Sequence, residues 1–200
     1  MSTDSASIAL THHFLIAMPG LEDAVFARSV VYLCEHSERG AMGLIINREA
    51  DIDMPALFSK LELPLGREDL REQPVLMGGP LHSERGFVLH EPLAPEGEPS
   101  SDGQVYAATL QVPQGLELTT SRDVLEAVSA GAGPRQVTIA LGYAAWGEGQ
   151  LESELKENTW LTVPADPALI FSVPLAQRYE RALDLLGLKA WMLSPEAGHA

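Results

Sequence analysis

A chain of 200 residues, 46% of them hydrophobic, is long enough for one domain that buries roughly 70% of the surface its unfolded form exposes. Its 28 acidic and 13 basic residues give a net charge of −15, which argues against direct binding of nucleic acid, since affinity for a phosphate backbone comes from neutralising cations. The single cysteine, Cys34, excludes an internal disulfide and suits a reducing compartment, and no apolar run reaches the ~20 residues of a membrane-spanning helix. Met1 to Ala9 has neither the basic start nor the apolar core of a leader peptide, so a cytoplasmic protein without a membrane partner is expected.

In chain order, His13 to Ala17 reads as a short apolar strand stopped by Met18-Pro19-Gly20. Leu21 to Arg28 predicts a helical turn. Ser29 to Cys34 is rich in β-formers and Ala41 to Ile46 returns, with Glu35 to Gly40 as the polar loop of an antiparallel hairpin. Gly43 inside the returning strand marks a bulge or a close backbone neighbour. Asp53 is placed to cap a helix over Met54 to Leu61, which Pro64 ends. Val75 to Met77 and Gly86 to His90 are the next strands, separated by Gly78-Gly79-Pro80. Glu91 to Gly103, with three prolines and four acids, is a loop. Val105 to Val112 is expected to pair with Leu116 to Leu118.

Thr120 and Asp123 have capping-box spacing for a helix through Ala130, closed by Gly131. Val137 to Leu141 is a buried strand that turns through glycines into a helix ending near Asn158, followed by a strand from Trp160 to Val163. Pro167 to Val173 carries the apolar Leu169-Ile170-Phe171, and Pro174 opens a last helix, Leu175 to Leu186, closed by Gly187. One domain over 10–187 is expected, with loose termini at 1–9 and 188–200, although Trp191 is large enough to dock. Strands with interspersed helices and tight antiparallel connections point to an α+β fold around a mostly antiparallel or mixed sheet.

Candidate chemistry is sparse. Cys34 and His36 are two apart, so an unbroken strand would put both on one face with Tyr32. An imidazolium beside a thiol lowers its pKa and makes a nucleophile or redox sensor; the competing reading is a buried structural cysteine. The six histidines show none of the short spacings of a metal site, so no metal is expected. Neither a P-loop nor a G-x-G-x-x-G follows any strand, and no cofactor is expected. The amides of Gly78 and Gly79 could cradle an anion, or the pair could simply allow backbones to approach.

The helix after the central glycines is more informative. Leu151 and Leu155 share one face, and Gln150, Glu154 and Asn158 form a polar stripe beside it. With Trp146 and Trp160 this stripe lines a cleft in one reading; in the other it ties the glycine turn to neighbouring strands. Glu148 and Glu152 hold the helix start, which disfavours an anion there.

These residues also carry a resemblance. Leu15 to Pro19, Tyr32 to His36, Gly40 to Asn47, Gly78-Gly79-Pro80, Gly86 to His90 and Gly142 through Glu152, with Asn158 and Trp160-Leu161, resemble the AlgH/YqgE family of bacterial proteins, in the family's order and from about His13 to Gly187. Glu49-Ala50 departs from the family pattern, where a proline is expected. The resemblance implies a compact α+β domain with a bulged, coiled sheet. It implies no mechanism, although some members carry a transcriptional-regulator label linked to alginate biosynthesis. The resulting expectation is a binding or regulatory protein acting through a small-molecule or protein partner, the alternative being a thiol-dependent enzyme or sensor that uses Cys34 with His36.

Overall fold

The computed structural model describes residues 9–93 and 105–193; most of the proline-rich loop predicted over 91–103 lies outside them, as do residues 1–8 and 194–200. The strands are β1 (His13–Ala17), β2 (Val30–Ser37), β3 (Gly40–Ile45), β4 (Glu49–Asp53), β5 (Pro74–Met77), β6 (Leu81–His90), β7 (Thr109–Gln111), β8 (Glu117–Thr119), β9 (Val137–Trp146) and β10 (Trp160–Pro164). The helices are α1 (Met54–Lys60), α2 (Arg122–Ser129), α3 (Gln150–Lys156), α4 (Pro167–Phe171) and α5 (Arg178–Asp184). The α+β expectation is met by one curled sheet, ordered β10-β1-β2-β3-β9-β6-β8-β7. β5 joins β9 in parallel and carries β4 on its other side; every other pairing is antiparallel.

β9 is the spine. Its first half pairs with β6 and β5, and its last three residues pair with β3. The strand does not end at Leu141, the bound expected from its apolar run, but passes through Gly142 to Trp146. It kinks at Gly142 in the left-handed region, φ 74°, and runs on, because the residues on either side of the kink are paired to β6 and β3. A Cβ at Gly142 would lie 2.5 Å from the Gly79 carbonyl oxygen, so only glycine lets the two segments cross this closely.

Alternation along β1 and β2 sorts side chains to two faces. Phe14, Ile16, Val30, Tyr32 and Cys34 pack beneath Leu169 and Ile170 of α4 and Tyr179, Ala182 and Leu183 of α5. Leu15, Ala17, Val31 and Leu33 pack on the other face with Trp146, Leu151 and Trp160. A third cluster joins Met54, Leu57 and Phe58 of α1, Val124 and Val128 of α2, and Val88, Val137 and Ile139 of the sheet. Burying both faces of β1 and β2 explains their nearly continuous apolar runs.

Several local expectations are revised. The hairpin turn is two residues, Glu38-Arg39, because β2 continues to Ser37. Leu21 to Arg28 does hold the expected helical turn, the Ala27 amide bonding the Asp23 carbonyl at 3.0 Å while the Asp23 carboxylate caps it by taking the amides of Val25 and Phe26 at 2.8 Å each. Asp53 caps α1 through the Ala56 amide. The cap of α2 is Ser121, and Asp123 instead accepts from Ser121 Oγ and the amides of Ala107 and Val124. The last helix divides into a 3-10 turn at Leu175–Gln177 and α5. Residues 190–193 form a further 3-10 turn with Trp191 70% exposed, so that indole does not dock on this chain.

Candidate functional site

The segment that leaves β9 crosses Gly147, Glu148 and Gly149, forms α3 and returns as β10. Gln150 closes this turn by accepting the Gly147 amide on Oε1 at 3.0 Å and donating its Nε2 to Glu154 Oε1 at 3.0 Å. Glu154 Oε2 receives the indole N–H of Trp146 at 2.9 Å and that of Trp160 at 2.7 Å. One carboxylate therefore ties together the end of β9, the middle of α3 and the start of β10. All three donors are neutral, and among the described residues no Lys or Arg forms an ion pair with Glu154. Its negative charge is solvated by hydrogen bonds but not compensated.

The two indoles meet edge to face at 5.9 Å, and Phe26 packs against both, at 6.0 Å from Trp146 and 5.6 Å from Trp160. Trp146 and Trp160 are only 5% and 4% exposed, yet they border an open cleft of about 330 Å³. The cleft is completed by Gln150, Glu154, Asp23, Leu21 and Thr159. Among the described residues it thus holds three aromatic rings, two carboxylates and no base. Phe26 and Asp23 carry no marker of the cleft in the sequence, because a loop far from α3 along the chain brings them here.

The structure brings together Trp146, Gln150, Glu154 and Trp160 from the predicted set and leaves Asn158 outside. α3 ends at Lys156, and Asn158 adopts φ 56°, a conformation asparagine tolerates. There its amide and that of Thr159 close the helix onto the carbonyls of Leu155 and Glu154. Gly78 and Gly79 are elsewhere. The Gly78 amide is bonded to the Leu141 carbonyl at 2.8 Å, and a Cβ at Gly79 would lie 2.1 Å from the Tyr143 backbone. The pair allows close passage against β9, and the Gly78 amide is spent within the sheet.

The expected pairing of Cys34 with His36 does not form. β2 is bulged between Leu33 and Glu35, leaving Cys34 as the extra residue beside Gly43. The bulge reverses the alternation. Cys34 turns into the cluster with Tyr32, whereas His36 points to α3, where its Nε2 lies 2.7 Å from Glu152 Oε1. His36 Nδ1 accepts the Leu10 amide at 3.0 Å, so the ring proton sits on Nε2 and is donated to Glu152. Cys34 is 1% exposed, and burial pushes its thiol far above the ordinary range. A thiol without thiolate character is a poor nucleophile. Among the described residues no cluster of His, Cys, Asp and Glu is arranged to hold a metal ion, and no helix is long and apolar enough to cross a membrane.

The cleft sets three aromatic rings beside the carboxylates of Asp23 and Glu154. Aromatic rings attract cations through their quadrupole, and the two carboxylates add charge of the same preference.

Comparison with known proteins gives a consistent picture. The family model described as DUF179, AlgH-like, matches residues 14–191. The chain is 67% identical to a UPF0301 protein of Verminephrobacter eiseniae and 66% identical to one of a Polaromonas species, covering all of both chains in each case. Among solved structures it is similar to the AlgH protein of Pseudomonas aeruginosa, with 42% identity, a TM-score of 0.74 and full coverage of both chains. A protein of Corynebacterium diphtheriae, 20% identical with a TM-score of 0.67 over 87% of this chain and 85% of that one, shares the fold.

Proposed function

The chain belongs to the AlgH-like family, and from that premise we propose that it is a cytoplasmic binding protein whose cleft at Trp146 and Trp160 receives a cationic group. That group belongs to a small molecule or to a side chain of a protein partner. The carrying observation is Glu154, which two indole N–H groups and Gln150 hold facing the cleft without a counter-charge. Asp23 and the three aromatic rings favour the same class of ligand. Any effect on transcription then runs through that partner, because a chain of net charge −15 repels a phosphate backbone.

The test is calorimetric titration with choline against its neutral isostere 3,3-dimethyl-1-butanol. Choline is expected to bind and the isostere to bind at least about tenfold more weakly, the range set by cation–π and charge contributions. Equal binding of the two, or none by either, would sink the reading. A gel shift at low salt, where phosphate attraction is strongest, is expected to show no complex with duplex DNA.

A further inference from the structure

On the opposite side of the sheet from the aromatic cleft stands a buried base without an acid. Arg178, the first residue of α5, is 7% exposed and is the one Lys or Arg among the buried described residues. Its Nε donates to the Val173 carbonyl at 3.0 Å and its Nη1 to the Ile46 carbonyl at 2.5 Å. A guanidinium carries five N–H donors, and these two carbonyls bring only partial charge. No carboxylate lies within ion-pair distance among the described residues. Burial alone pushes its pKa down to about 10. A buried charge is ordinarily paired, so a guanidinium in this state lacks a partner.

Arg178 borders a cavity of about 470 Å³, within the usual range for small-molecule sites. Val137, Ile170, Phe171, Val173 and Leu175 supply apolar walls. Arg135 stands on the same cavity, and its guanidinium makes no hydrogen bond or ion pair among the described residues. Among the described residues the lone acid on the lining is Glu72, an exposed residue at the edge shared with a neighbouring groove that Glu49, Asp53 and Arg71 line. Two bases against one acid is a local reversal in a chain with 28 acids and 13 bases.

We propose that this cavity is a second binding site, for a monocarboxylate with an apolar body. The carboxylate meets the free edge of the Arg178 guanidinium, with Arg135 at the entrance, and the apolar body lies against Phe171, Val173 and Val137. The planar guanidinium suits a carboxylate better than a spherical anion, because two parallel N–H groups match its two oxygens.

The experiment is a nuclear magnetic resonance titration of the full chain with sodium octanoate, with n-octanol as the neutral control. Saturable shifts are expected at the amides of Thr138, Phe171 and Val173 by about 10 mM, a concentration that reports even millimolar affinity. The indole resonances of Trp146 and Trp160 should stay in place. Arg178→Lys removes the fork and should weaken octanoate by about tenfold or more. Arg135→Ala, at an exposed position, keeps the fold and should weaken it severalfold, so the site stays testable even if Arg178→Lys unfolds. Octanoate shifts that are absent, that octanol matches, or that both substitutions leave unchanged would overturn the proposal.

Discussion

Trp160 donates its indole N–H to Glu154 across 2.7 Å, so the helix that ends at Lys156 is fastened to the strand that follows by one charged hydrogen bond. The same oxygen takes the Trp146 indole. Removing Glu154 therefore leaves two nearly buried donors without an acceptor. Glu154→Ala is expected to cost about 2–6 kcal/mol, each of the two orphaned donors losing about 1–3 kcal/mol, measured by urea unfolding. Glu154→Gln keeps an acceptor oxygen and should cost less, about 1 kcal/mol, while abolishing selectivity for choline over its neutral isostere.

Cys34 is expected to be inert. Burial raises its thiol pKa and a bulge separates it from His36. Alkylation by iodoacetamide in native conditions should stay slow up to about pH 9, above the free thiol value of ~8.5, and become fast in urea. Rapid labelling of the folded protein near neutral pH would restore the thiol reading.

The His36–Glu152 pair makes a prediction on pH. Hydrogen bonding from His36 first, and from backbone second, holds the Glu152 carboxyl below the usual carboxylate range. A carboxyl whose folded pKa is depressed stabilises the fold above its unfolded pKa of ~4.3 and loses that contribution as pH falls through the folded value. Glu152 is 42% exposed in its side chain, so the effect is a few tenths to about 1 kcal/mol. Glu152→Gln should lower stability by that amount at pH 6 to 7, and the difference from the wild type should vanish in acid below about pH 3. A difference that persists unchanged into acid would rule out this linkage.

Two glycines in the same left-handed region should respond differently. At Gly142 an added Cβ meets the Gly79 carbonyl at 2.5 Å, whereas at Gly149 it meets nothing within 4 Å. Gly149→Ala bears only the backbone term, about 1 kcal/mol. Gly142→Ala adds a collision inside the sheet and is expected to cost about 3 kcal/mol or more, readable as a larger fall in Tm.

Much of the fold is legible in the residues. The β-formers of β1, β2 and β3, the Asp53 cap of α1 and the Gly187 stop after α5 act locally, so their signals survive without tertiary context. β4 carries only a weak signal: Glu49-Ala50-Asp51-Ile52-Asp53 alternates exposed and half-buried positions, a pattern faint beside its charge. The bulge at Cys34 had only Gly43 as a hint, since register is set by the partner strand. The apolar run stops at Leu141, and only the pairing of β9 on both sides of Gly142 carries the strand on to Trp146. At the candidate site the i, i+4 relation of Gln150 and Glu154 and the nearby tryptophans are local and legible. Phe26 and Asp23 reach the cleft by tertiary packing alone.

The central claim, that Glu154 and its two indoles form a cation-accepting cleft, is tested most directly by following the Trp146 and Trp160 indole N–H resonances during addition of choline. Both are expected to shift together and saturably in the wild type, to stay still with 3,3-dimethyl-1-butanol, and to lose the choline response in Glu154→Gln. Indole resonances that ignore choline, or that answer the neutral isostere equally, would contradict it.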